Sequence, residues 1–334
     1  MDYIDKIICG DSLKIMKNMP DNFVDVAFID PPFNLKKGYN EYKDEKSDFD
    51  YLDWSKDWIL EMIRIIKPTG SVFIHNIPKW LLEYYRILFN YKDQSNEKDP
   101  YYEHVKNLKL IDWIVWNEPG TPKGRYLYAS HYGILWLAKS SKVKYHNMRI
   151  PHKFCRVCDS LIKDYGGKKD QINEFGTILS DVWDDIHRYK HSKRRDAHPN
   201  QLPVPLLERL LLMTADNGDL VLDPMCGVGT TCIAAKRMGM HYLGIDIDQS
   251  YCNITESKLL ETDETKINDV NVSIFMDKVL SIRNRDVPVV VKSLKHIPIK
   301  YNRDKYRQIS TAKLAKEKEG DIFEIFDASL QTRK

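Results

Sequence analysis

Cysteine is scarce: six residues scattered over 334 do not make the framework of a small disulfide-stapled fold, and they are read as reduced thiols. No stretch approaches the roughly 18 consecutive apolar residues of a membrane span, and the N-terminus lacks a signal-peptide pattern. A cytoplasmic chain with no membrane partner is the expectation. Excess charge is small as well, since 51 Lys or Arg face 48 Asp or Glu for a net +3, which by itself does not announce a nucleic-acid binder. Metal ligands are sparse. Cys155-Arg156-Val157-Cys158 has the spacing of half a zinc knuckle, but none of His146, His152, His187, His191 and His198 forms a second close pair, so no metal is expected. With 43% hydrophobic and 30% charged residues, what remains is a globular chain of one large domain, or one plus a smaller insert.

Two stretches carry the chemistry. Val24, Val26, Ala27 and Phe28 form a short β-favouring run stopped by Ile29-Asp30-Pro31-Pro32-Phe33-Asn34, which places Asp30 at the carboxyl end of a buried strand. In open α/β sheets ligands bind at that edge. The prolines supply no N–H and fix φ, which leaves their carbonyls as acceptors and aims Asp30 and an exposed Phe33 at one point suited to a flat, amine-bearing ring. The same residues also describe an ordinary turn with Phe33 in the core. The second stretch, Leu220 to Thr231, reads as strand, glycine turn (Asp223-Pro224-Met225-Cys226-Gly227-Val228-Gly229-Thr230-Thr231) and helix. His241 to Asp246 follows as a strand ending in a carboxylate, 17 residues after Gly229, about where an acid reaches a ribose hydroxyl in a nucleotide-binding βαβ unit.

Together these stretches resemble the amino-methylating DNA methyltransferases. Asp30-Pro31-Pro32-Phe33 resembles their catalytic motif, and Asp223 to Thr231 their S-adenosylmethionine motif. The order, catalytic motif first and cofactor motif last with a recognition region between, resembles the β group, as found in type II restriction-modification systems. The resemblance covers roughly residues 4 to 260. It implies a Rossmann-like α/β methyltransferase fold with a mainly parallel seven-stranded sheet, an antiparallel edge and an inserted target-recognition region. It implies catalytic roles for Asp30, Pro31, Pro32 and Phe33. Cofactor contacts are implied for Asp11, Asp30, Asp223, Pro224, Met225, Gly227, Gly229, Thr230, Thr231 and Asp246. It adds the segment His198-Pro199-Asn200-Gln201-Leu202-Pro203, whose His198, Asn200 and Gln201 would lie beside the methionine end, with Leu202 where lysine is common in the family.

The chain is accordingly divided into residues 1–138, the first part of the catalytic domain; 139–197, the recognition region; 198–260, its second part; and 261–334, an extension with no assigned role. Asp11 is read both as a helix N-cap and, through the resemblance, as a partner of the cofactor's adenine amine. Asn34 to Asp53 reads as a polar loop, and an amphipathic helix is expected from Trp54 to Ile66. His75 ends the next strand, where a lone histidine is more often a hydrogen-bonded neighbour than a functional group. From Lys139 to His198 the chain carries 14 Lys or Arg against 8 Asp or Glu, with Tyr145, Phe154, Tyr165, Phe175, Trp183 and Tyr189 interleaved. Lys168, Lys169, Arg188, Lys190, Lys193, Arg194 and Arg195 are the candidate phosphate contacts, although a charge run is often only a solvated face.

The mechanism implied is alignment of an amine opposite a departing sulfur, with Asp30 and the Pro31 carbonyl accepting the amine hydrogens and Phe33 stacking on a base flipped from duplex DNA. Asp at the first motif position favours adenine N6 by family habit, with cytosine N4 as the alternative. A homodimer and a restriction endonuclease of the same site are admissible partners. Other readings are methylation of a small-molecule, protein or RNA amine, a nicotinamide-dependent oxidoreductase using Gly227, Gly229 and Asp246, and a DNA-binding module without catalysis.

Overall fold

The computed structural model describes residues 3–38, 41–42, 44–118, 127, 129–150, 177–186, 201–262 and 275–276. The chain divides into two units, Met1–Tyr145 with Asp181–Thr265, and His146–Ser180 with Lys266–Lys334. The strands of the first unit are β1 (Lys6–Cys9), β2 (Val24–Ile29), β3 (Ile66–Asn76), β4 (Lys109–Asn117), β5 (His131–Ala138), β8 (Val182–Trp183), β9 (Leu220–Asp223) and β10 (His241–Asp246). Its helices are α1 (Ser12–Lys17), α2 (Asp48–Ile65), α3 (Pro78–Gln94), α4 (Tyr102–Val105), α5 (Val204–Thr214), α6 (Thr230–Arg237) and α7 (Gln249–Leu260). The second unit contains β6 (Met148–Ile150), β7 (Thr177–Ile178) and β11 (Phe275–Met276), an antiparallel sheet in the order β11-β6-β7.

The main sheet runs β1-β10-β9-β2-β3-β5-β4-β8. β5 alone runs against its neighbours, lying between β3 and β4. Among the described residues this sheet has eight strands where the resemblance implies seven. The addition is β8, two residues paired parallel to β4, which comes from the basic region and is too short to carry a strand period. Its Trp183, grouped in the sequence with the aromatics of the recognition region, is buried, and the Arg209 guanidinium lies 5.0 Å from its ring centroid. That ring belongs to the core.

Topology places the functional edge. From β2 the chain crosses through α2 to β3 on one side, and from β9 it crosses through α6 to β10 on the other, while β2 and β9 pair directly through Val26↔Val221 and Ala27↔Leu222. Their carboxyl ends therefore flank a switch point, where the diverging connections leave a crevice. Asp30 and Asp223 stand there.

Helix boundaries moved where caps, not periodicity, set them. α2 begins at Asp48, not Trp54, because the Ser47 hydroxyl accepts the Asp50 N–H at 3.1 Å and Asp48 and Asp50 suit the positive helix start. The last turns of that supposed loop are thus helical. α3 starts on Pro78 and runs to Gln94. Tyr51, Trp58, Ile59, Met62 and Ile63 of α2, with Trp80, Leu81, Tyr84 and Leu88 of α3, pack into the core beside β3. Cys9, Cys226, Cys232 and Cys252 are free thiols. Among the described residues no helix is long and apolar enough to cross a membrane. The half-knuckle Cys155 and Cys158 and nearly all of 261–334 lie outside the described residues.

Candidate active site

A cleft of about 1200 Å³, part of it open to solvent, lies at the carboxyl edge of β1, β2, β9 and β10. Asp11, Asp30, Pro31, Pro32, Gln201, Asp223, Pro224, Met225, Gly227, Thr230, Thr231 and Asp246 all line it, so most of the residues expected at the site meet in one place. Leu202 lines it too, as do Phe28, Glu41, Tyr42 and Trp54. Asp11 also caps α1, accepting the Lys14 N–H at 3.2 Å. His198, Asn200 and the seven basic residues from Lys168 to Arg195 lie outside the described residues.

The glycine turn is built by backbone. Gly227 and Gly229 take left-handed φ values of 51° and 77°, which glycine adopts without the steric cost of a Cβ. The Gly227 N–H donates to Asp246 Oδ2 at 2.8 Å, and the Asp248 N–H donates to Oδ1 at 2.9 Å, which fixes the Asp246 carboxylate at the end of β10. Gly229 does not line the cleft. A Cβ there would fall 2.2 Å from Thr255 Cγ2, so this glycine lets α6 and α7 close on each other. Asp223 accepts the Thr231 hydroxyl at 2.5 Å and the Met225 N–H at 3.1 Å. Burial nevertheless pushes its carboxyl up to about 7, with the charges of Asp30 and Asp246 adding to the rise. Burial raises Asp246 as well, against the pull of its backbone donors.

The Asp30 segment departs from expectation at two points. Phe33 was expected to be exposed; it is 3% exposed and lines no part of the cleft. Its ring packs against His75 and Tyr132, with centroids 5.6 and 5.9 Å away, and Lys37 Nζ lies 5.4 Å from its centroid. An aromatic ring set among aromatic neighbours gains more by burial than by exposure. The Pro32 carbonyl was expected to be free; it accepts the Tyr51 hydroxyl at 2.6 Å. Trp80 Nε1 donates to the Phe33 carbonyl at 2.7 Å. Asp30 Oδ1 lies 2.7 Å from His75 Nδ1, within hydrogen-bond distance.

Sequence reasoning passed over Tyr51, Trp80 and Asp44, and gave His75 little weight. Asp44, inside the supposed loop, accepts the N–H groups of Asn34, Leu35 and Lys37 at 2.7, 3.0 and 3.1 Å, in a turn where Asn34 and Lys36 are left-handed. The one available signal was a short acidic side chain close along the chain to a tight turn, and Glu41 and Glu45 beside it carry the same signal.

The DNA methylase family model N6_N4_Mtase matches residues 24–257. The type II methyltransferase M.BamHI of Bacillus amyloliquefaciens is 38% identical over 295 residues, 87% of this chain and 63% of that protein, so the chain spans less than two thirds of its length. The type II methyltransferase M.HpaI of Haemophilus parainfluenzae is 30% identical over 258 residues, 76% of this chain and 74% of that protein. In structure, the PvuII DNA methyltransferase, described as cytosine-N4-specific, shares the fold with a TM-score of 0.52 at 16% identity, over 77% of this chain and 90% of that one. With both motifs in one cleft and the family model spanning most of the catalytic unit, the chain belongs to the N6/N4 DNA methylase family.

Proposed function

We propose that this chain transfers the methyl group of S-adenosylmethionine to the exocyclic amine of a base in duplex DNA, at a specific site. The observation that carries the reading is the meeting of Asp30 with the glycine turn and Asp246 in the crevice between β2 and β9. The cleft's chemistry fits that cofactor. Its lining carries six carboxylates, those of Asp11, Asp30, Glu41, Asp223, Asp246 and Asp248, and among the described residues no Lys, Arg or His. A sulfonium with an ammonium group is attracted to such a wall, whereas the pyrophosphate of a nicotinamide dinucleotide is repelled. The oxidoreductase reading fails on that charge. In this reading, which follows the family resemblance, Asp246 takes the ribose hydroxyls, Asp11 the adenine amine, and Asp223 and Gln201 the methionine part, with His198 and Asn200 beside them; the lining of one cleft by the first four supports it.

The cofactor supplies a methyl already activated on sulfur, so the protein's work is alignment. Asp30 accepts one amine hydrogen, and the Pro31 carbonyl the other, which draws the amine lone pair out of the ring and stabilises the positive charge that grows on nitrogen. The proton released when the nitrogen takes the methyl passes to the Asp30 carboxylate and on to water. The base has to leave the duplex to reach Asp30. Phe33 is its stacking partner in this reading, which requires that its buried ring become accessible to the incoming base. Lys168, Lys169, Arg188, Lys190, Lys193, Arg194 and Arg195 hold the DNA backbone, which makes binding fall with added salt.

Adenine N6 is the proposed target on family habit, since both candidate amines present the same two hydrogens to Asp30. A homodimer, a restriction endonuclease of the same site and a cytoplasmic location complete the proposal. Nucleoside analysis of plasmid DNA from cells expressing the chain tests it. N6-methyladenine in one short sequence context is the expected result. N4-methylcytosine would overturn the base and keep the residue roles, and unmodified DNA alongside intact cofactor binding would overturn the activity.

A further inference from the structure

His75 is fully buried at the end of β3, one strand from β2, with Ile74 in register with Ile29. Its Nδ1 lies 2.7 Å from Asp30 Oδ1, while its Nε2 is buried and has no hydrogen-bond partner among the described residues. The rings of Tyr132, Phe33 and Trp116 surround it, with centroids 5.3, 5.6 and 5.7 Å away.

That asymmetry chooses the tautomer. A neutral imidazole carries one N–H and one bare nitrogen. An N–H at Nε2 would be a donor buried against aromatic rings with nothing to receive it, and Nδ1 would then turn a lone pair toward a carboxylate. With the proton on Nδ1 the donor meets an acceptor, and only a bare nitrogen is left in the aromatic box. Buried donors are paired far more strictly than acceptors.

Building on the proposed function, we propose that His75 is a positioning residue for methyl transfer: its Nδ1–H holds Asp30 Oδ1, so that Oδ2 alone is presented to the target amine. The terminal torsion of an aspartate is broad and nearly two-fold, so an untethered carboxylate samples orientations that do not align the amine. Fixing one oxygen removes that freedom without using the oxygen the substrate needs. His75 itself does not line the cleft, so it makes no direct contact with the cofactor.

Two measurements decide it. In the folded wild-type chain, ¹⁵N spectra of the His75 ring are expected to show the proton on Nδ1, shifting toward Nε2 in Asp30→Ala; a proton on Nε2 in the wild type overturns the tether. For turnover, His75→Leu is expected to lower kcat by about tenfold to a hundredfold, the usual range for losing an orienting partner. KM for cofactor and for DNA should stay unchanged. His75→Asn keeps a side-chain N–H in nearly the Nδ1 position and is expected to restore most of kcat. Wild-type kcat in His75→Leu overturns the inference, as does a joint fall of kcat and folding that His75→Asn does not rescue. A wild-type chain that methylates no DNA overturns the proposed function and the catalytic part of this inference with it, while the ring spectra still decide the tether.

Discussion

The hydroxyl of Tyr51 donates to the Pro32 carbonyl across 2.6 Å, fastening α2 to the segment that carries Asp30. The same hydroxyl lies 2.7 Å from that of Tyr84 on α3, and Asn76 Nδ2 reaches both at 3.3 and 3.2 Å. The next carbonyl, of Phe33, is held by Trp80. Prolines have no N–H, so their carbonyls are the handle by which neighbouring elements can grip such a segment. Two helices and the end of β3 grip it from behind, leaving the cleft side to Asp30.

Replacing Tyr51 by Phe is therefore expected to act on both stability and turnover. The change keeps the ring and leaves a half-buried carbonyl and two buried polar neighbours short of a partner, a loss of about 1–3 kcal/mol. Urea unfolding should show a lower midpoint at unchanged slope, and kcat should fall with it. Tyr84→Phe does not touch Pro32 and should cost stability without an equal loss of kcat. Equal kcat losses in both variants would refute the grip on Pro32.

These contacts mark where sequence reasoning stops. The strand, glycine turn and terminal acid around Gly227 and Asp246 are consecutive in the chain, and each has a local physical signature, so the cofactor edge was legible. So was Asp30 at the end of β2. Tyr51, His75 and Trp80 meet the Asp30 segment from 19, 45 and 47 residues away along the chain, and no local period encodes such meetings. Phe33 fits an exposed or a buried role equally well until Tyr132 and His75 are brought beside it. The start of α2 is hard to read from sequence because its first turn alternates acids with aromatics, Asp48-Phe49-Asp50-Tyr51, and shows no helical apolar period, so a serine cap before it looks like loop.

Gly229→Ala tests the closure of the cofactor turn. The added Cβ would sit at φ 77° and 2.2 Å from Thr255 Cγ2. The left-handed conformation alone costs about 1–2 kcal/mol, and the clash adds to it. Calorimetry should show a large drop in Tm together with weakened cofactor binding. Thr255→Ser in the same chain removes Cγ2 while keeping the hydroxyl that donates to the Gly227 carbonyl at 3.0 Å, so it should recover part of the loss. No recovery would assign the requirement to the backbone conformation together with Thr255 Oγ1 and Cβ, 2.8 and 2.9 Å from the added Cβ, and not to Cγ2.

Lys139 predicts the alkaline side of the stability profile. Its Nζ donates to Asn22 Oδ1 at 2.7 Å and the Arg64 carbonyl at 2.8 Å, near His104, Asp21 and Arg64. Burial, helped by the Arg64 charge and opposed by Asp21, lowers its pKa from 10.5 to about 8. Between those values the unfolded chain binds the proton that the folded chain has released, so this group makes stability rise as pH climbs through that window. Denaturation midpoints from pH 7.5 to 10 should show the rise, and Lys139→Met should remove it. A slope unchanged by the substitution would assign it to other groups.

Asp223 gives the opposite sign for the empty protein and a distinct one for the cofactor. Its folded pKa of about 7 stands above the ordinary 3.8, so between those values the folded chain holds a proton that the unfolded chain has lost, and its contribution to stability declines as pH rises from 3.8 toward 7. Asp223→Asn is neutral at every pH and should remove that decline, since an amide oxygen still accepts the Met225 N–H and the Thr231 hydroxyl can turn to accept from the amide. Cofactor binding pulls the other way. A cation beside Asp223 favours the carboxylate, so binding has to expel the proton at pH 6 and need not at pH 8. Affinity for S-adenosylmethionine should therefore rise with pH, by up to about tenfold per unit below 7 and levelling above it. Asp223→Asn should bind more weakly and lose that dependence, as read by isothermal titration at pH 6, 7 and 8. S-adenosylhomocysteine keeps the ammonium and lacks the sulfonium charge. A slope as steep for it as for S-adenosylmethionine would put the ammonium beside Asp223, a shallower slope would put the sulfonium there, and a flat profile for both would remove Asp223 from the cofactor site.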